Sequence, residues 1–139
     1  MVDALRRVRG MVTVDGTVVD VHPTASASAI EVETEVTGYI DACDAPLRHA
    51  AADAAVAAAV RDGLYAIEQA VEFTFYTYGA TIDELREYIR DSWRDARIDE
   101  ATVGRTRDAL RRFPGSRPRS RERVVVTSLR PRRGAGNGV

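Results

Sequence analysis

Gly16-Thr17-Val18-Val19-Asp20-Val21-His22-Pro23 is the stretch whose reading decides the fold. A turn residue opens it, a β-branched run with one carboxylate follows, and a His-Pro step closes it. A short apolar run between turn signals predicts a strand covered on both faces. Pro23 has no N–H for a ladder hydrogen bond, so the strand is expected to end at His22. In open α/β sheets ligands gather just past the carboxyl ends of strands, which is where His22 would stand.

Working outward, Val2 to Arg9 predicts a short helix ended by Gly10. Met11-Val12-Thr13-Val14 before Asp15-Gly16 reads as a strand entering a hairpin, or as a tight turn feeding the next strand. Beyond Pro23, Thr24 to Ser28 is a loop. Ile30-Glu31-Val32-Glu33-Thr34-Glu35-Val36 alternates strictly, which predicts one half-buried strand with its three glutamates on an outer face. Asp44 is placed to cap an alanine-rich helix from Leu47 to Arg61, with Pro46 in its first turn and Gly63 past its end.

Tyr65 to Tyr78 predicts a long strand rich in β-branched and aromatic residues. Thr81 and Glu84 form a capping box for an amphipathic helix carrying Ile82, Leu85, Ile89, Trp93 and Ala96, with Trp93 expected as a buried core anchor. Asp99 caps a further helix, stopped by Pro114-Gly115. Ser116 to Arg121 reads as a loop and Val124 to Leu129 as the last strand. The order α, β, β, α, β, α, α, β predicts a single α/β or α+β domain over residues 1–131. Residues 132–139 are expected to be a disordered tail.

Composition narrows the function classes. The 139 residues fit one domain, and their single cysteine, Cys43, excludes a disulfide framework and favours a reducing, cytoplasmic setting. No run approaches the roughly 20 apolar residues of a membrane span, and the first residues do not read as a signal peptide. The net charge of −1 hides an asymmetry: 11 Arg against 20 acids up to Leu110, and 9 Arg against Glu122 alone from Arg111 onward. The basic end could neutralise phosphates, but it lacks interleaved aromatic residues for base stacking. It is expected to offset the acidic body rather than to bind nucleic acid.

The candidate catalytic residues are His22 and Asp20, which share a strand face at spacing i, i+2. The same spacing also fits a satisfied structural pair. His22 and Tyr76 are candidate substrate-side residues, Tyr76 sharing its strand face with Glu72 and Tyr78. The two His and one Cys have no metal-ligand spacing, so no metal is expected. Cys43 has no evident activating base.

Three segments resemble the C-terminal half of a class I S-adenosylmethionine-dependent methyltransferase. Leu5 to Arg9 followed by Val14 to Pro23 is similar to that family's helix, turn and fifth strand, with Val14-Asp15-Gly16 standing where Pro-Gly-Gly is usual. Phe73 to Tyr76 is similar to the sixth strand, and Arg123 to Pro131 to the closing seventh strand. The resemblance implies a partial Rossmann-like sheet with flanking helices. Its last strand would lie antiparallel between Thr17–Val21 and Val71–Tyr78. It also implies that the glycine-rich cofactor loop is not in this chain, since Gly134-Ala135-Gly136-Asn137-Gly138 opens no helix. S-adenosylmethionine would then be bound only with a completing half, from a partner or a second copy. The alternative reading is a small non-catalytic α+β interaction domain that dimerises through a sheet edge. Both readings expect self-association or a protein partner.

Overall fold

A computed structural model of the chain describes residues 2–132. The elements are α1 (Val2–Arg9), β1 (Val18–Pro23), β2 (Ala29–Val32), β3 (Glu35–Tyr39), α2 (Ala45–Arg61), β4 (Tyr65–Tyr78), α3 (Ile82–Ser92), α4 (Glu100–Arg112) and β5 (Pro118–Pro131). They build one five-stranded antiparallel sheet with flanking helices, an α+β arrangement. β5 is its spine. One edge of β5 pairs with β4 from Arg119 to Pro131. The other edge pairs with β1 over Val124–Leu129 and with β2 over Pro118–Arg121. β3 completes a hairpin with β2. The last strand therefore lies between β1 and β4, antiparallel to both.

Burial changes sides along β5. Near its start the buried residues are Pro118, Ser120 and Val124; near its end they are Thr127, Leu129 and Pro131. Side chains alternate faces along a strand, so the covered face switches around Val125–Val126. Over the first half, Ile30 of β2 packs with Ile82, Leu85 and Ile89 of α3 and Val103 of α4. Over the second half, on the opposite face, Leu129 packs with Leu5 of α1, Val56 and Ala59 of α2, and Tyr65. The Tyr65 hydroxyl donates to the Leu5 carbonyl at 2.8 Å, which satisfies its polar tip inside that second core. Gly38 allows α4 to close on β3, because a Cβ there would meet the Thr102 side chain at 2.2 Å.

Several expectations are met by local chemistry. Thr81 Oγ1 accepts from Glu84 N–H at 3.1 Å, and the Glu84 carboxylate accepts from Ala80 N–H, closing the capping box one residue early. Asp99 Oδ1 accepts from Thr102 N–H at 2.6 Å. β4 has the bounds read from the sequence.

Others are corrected. Of the two readings of residues 11–14, the strand falls and the tight turn feeding β1 holds, with Gly16 N–H bonded to the Thr13 carbonyl. Pro23 belongs to β1: Thr24 N–H donates to Arg123, so by alternation the missing Pro23 N–H falls on the strand's free edge. The alternating run 30–36 is two strands, because Glu33 turns the chain with φ 54° between Val32 and Glu35. Glycine or asparagine usually marks such a turn, so the sequence carried no signal for it. Asp44 stands at the start of α2 but its side chain makes no capping bond.

The 116–121 loop is also corrected, since β5 begins at Pro118. Its polar face is held by Glu31, which is buried and pairs with both Arg119 and Arg121. Trp93 is only partly buried, at the end of α3. Residues 133–139 of the expected tail lie outside the described residues. Arg132 is tied to the domain: its N–H donates to the Leu64 carbonyl at 3.0 Å.

Candidate functional site

The carboxyl end of β1 is where titratable groups converge. His22 points to the face covered by α2, held between two carboxylates. Its Nδ1 lies 2.6 Å from Asp20 Oδ2 and its Nε2 lies 2.7 Å from Asp53 Oδ1 on α2. One turn earlier on α2, His49 Nδ1 lies 3.0 Å from the Thr24 carbonyl and donates to it. The i, i+4 spacing of His49 and Asp53 puts both on one helix face. The two contacts fix the start of α2 against the end of β1.

Burial pushes the His22 pKa down, but the hydrogen bonds and charges of Asp53 and Asp20 outweigh it and hold the pKa above 6.5. The ring is thus favoured as an imidazolium with both nitrogens donating. Such a group ties elements together. Both of its nitrogens are engaged, so neither is free to take a proton from a substrate. His22 and Asp20 are brought together as the sequence implied, in the form of the structural pair.

Tyr76 stands on the opposite face from Phe73 and Phe75, far along β4. The Arg119 guanidinium lies 4.2 Å from its ring centre and bonds the Tyr78 hydroxyl at 3.2 Å. Glu31 pairs with Arg119 and Arg121, and Glu72 with Arg123. This face is a ladder of arginines already neutralised by the chain's own glutamates. His22 and Tyr76 do not meet in one site.

Beside the end of β1, a cavity of about 470 Å³ opens between the β1–β2 loop, the start of α2 and the end of α3. Ser28, Ile40, Arg48, His49, Trp93 and Glu122 contribute to its wall. A cavity of this size fits a small organic ligand. Glu122 is half-buried in β5, and among the described residues no cation or donor is bonded to its carboxylate. Burial raises its pKa above the usual carboxylate value. The sequence held one sign of it: Glu122 is the lone acid in the basic end of the chain. Nothing in the sequence marked Arg48 or the exposed side of Trp93 as neighbours of it.

Among the described residues, no helix is long and apolar enough to cross a membrane. Comparison with known proteins finds no matching family model, no similar curated protein and no similar solved structure.

Proposed function

We propose that this chain is a methyltransferase-like half-domain of the cytoplasm, not catalytic alone, completed by a partner chain or a second copy that supplies the S-adenosylmethionine site. One observation carries the reading. The sheet ends on an open β1 edge, and beside it one face is left bare and apolar. Among the described residues β1 pairs only with β5. Val19 and Val21 are 59% and 57% exposed, and Val71, Phe73 and Phe75 extend the patch across β4. A Rossmann-like sheet has helices on both faces, and here α1 and α2 cover only one face at this end. The order β1–β5–β4 is also the one that the resemblance to methyltransferases implies.

The test is sedimentation of the chain at tens of micromolar, with calorimetric titration of S-adenosylmethionine into the species found. The expected result is a dimer that Val21→Glu disperses, with cofactor binding only in a completed assembly. A monomer that binds S-adenosylmethionine would place the cofactor site within this chain and remove the need for completion. A monomer that binds none would remove the second-copy form.

The alternative, a non-catalytic interaction domain, is favoured by β4. Among the described residues its outer edge is unpaired over fourteen residues, and the strand carries Phe73, Phe75, Tyr76 and Tyr78. Such an edge is a template for strand addition. A dimer insensitive to Val21→Glu, but dispersed by Phe73→Glu, would select this reading.

A further inference from the structure

We propose that the cavity between the β1–β2 loop, α2 and α3 binds a small organic amine with an apolar body, its ammonium group paired with Glu122 and its body against Trp93. The inference uses only the cavity and stands whether or not the chain is half of a methyltransferase.

Glu122 faces a shared wall with Trp93, Ile40 and Ala96, and more of that wall is carbon than polar. The other carboxylates of the sheet have cations at hand: Arg119 and Arg121 at Glu31, Arg123 at Glu72, Arg130 at Glu68. Glu122 makes no ion pair among the described residues, although Arg48 and Arg94 line the same cavity and arginines flank it in sequence at 121 and 123. Alternation sends those two side chains to the opposite face of β5, where their partners lie. A half-buried carboxylate without a counter-charge is costly unless a ligand brings one. An ammonium supplies both the charge and the donors, through charge-assisted hydrogen bonds that are short and strong.

Trp93 adds a second attraction for the same charge. It closes α3 as the residue after Ser92, and only part of its side chain enters the core. Indole is the ring face that attracts cations best. Arg48 also contributes to the wall, so an anionic ligand anchored there is the competing outcome.

Trp93 is the chain's single tryptophan and stands in the cavity wall, so its fluorescence reports on binding there. Phenethylamine, 2-phenylethanol and phenylacetate share one body and differ in charge. Titrated into the full chain to millimolar concentration, the amine is expected to bind tightest and the acid weakest. Glu122→Gln should weaken the amine roughly ten- to a hundredfold, the range of a charge-assisted hydrogen bond, and leave the alcohol unchanged. Glu72→Gln removes the same charge outside the cavity and should change nothing. Phenylacetate binding as tightly as the amine would overturn the proposal in favour of Arg48, and so would an unchanged amine affinity in Glu122→Gln. No response to any of the three would show that the cavity takes no such ligand.

Discussion

Two quarters of the sheet carry no helix, and their chemistry is opposite. On one face, beside the first half of β5, Arg119, Arg121 and Arg123 alternate with Tyr76, Tyr78 and the glutamates that neutralise them. On the other face, Val19, Val21 and Val71 stand open beside the second half, and Phe73 and Phe75 continue the patch past the middle of β5, opposite Val124 and Glu122. The charged quarter is satisfied by its own residues: charge is matched and the tyrosine rings lie under guanidinium groups. Nothing within the described chain covers the apolar quarter. A bare face can be stable as a surface or built as an interface, and charge pairing distinguishes the two. Arg111, Arg112, Arg119, Arg121, Arg123 and Arg130 of the basic end pair with acids of the same chain, so contact between chains through the apolar quarter should be little affected by salt.

The largest loss of stability is expected in the charged quarter. Glu31→Ala leaves Arg119 and Arg121 without their shared partner in a partly buried place, and should cost about 3–5 kcal/mol in denaturant melts. A loss under about 1 kcal/mol would mean the ladder is a solvated surface. Trp93→Ala comes next. Because only part of the ring is in the core, the expected loss is about 1–3 kcal/mol, below the range for a fully buried aromatic side chain.

The next effect lies behind the apolar quarter, at the tie between β1 and α2. The folded-state pKa of His22 is raised, so its stabilisation is complete below about 6.5, the unfolded value. It is lost as pH rises through the folded value. Melts from pH 5.5 to 8.5 should show this loss in the wild type and not in His22→Asn. Because Asp53 is more than half exposed, the amplitude should be modest, about 1 kcal/mol. A flat difference between the two proteins would show that the imidazolium is not held. The smallest effect on stability is expected in the apolar quarter. Val21→Thr should change the melt by less than about 0.5 kcal/mol, as surface positions do, yet weaken any dimer seen by sedimentation. A large drop in stability would mean that Val21 is covered.

The elements that were legible had local causes. Thr81 and Asp99 cap helices by bonds within three residues, and β4 announces itself through fourteen residues of strand-forming composition. The failures were non-local. The turn at Glu33 carries a residue that turns rarely select. Ser116 to Arg121 reads as a loop because the glutamate that holds Arg119 and Arg121 lies some ninety positions earlier. Of the site residues, the His22–Asp20 pair was legible from spacing, but Asp53 was not, since only the fold brings α2 to it. Glu122 stood out by charge alone, and its cavity depends on three segments distant in sequence.

The place of β5 in the sheet has a consequence for how the chain acquires its fold. β1, β2 and β4 all pair with the same fourteen residues, and those residues are made after all of the others that the sheet contains. During synthesis only the β2–β3 hairpin can close on neighbours already present; β1 and β4 wait, β4 with its aromatic residues unpaired. Contacts of such long sequence separation are slow to form, and an unpaired strand edge is prone to aggregate meanwhile. A nascent chain halted after Arg112 would hold α1 to α4 and no sheet beyond that hairpin, so nearly all of the sheet's cooperativity arrives with β5.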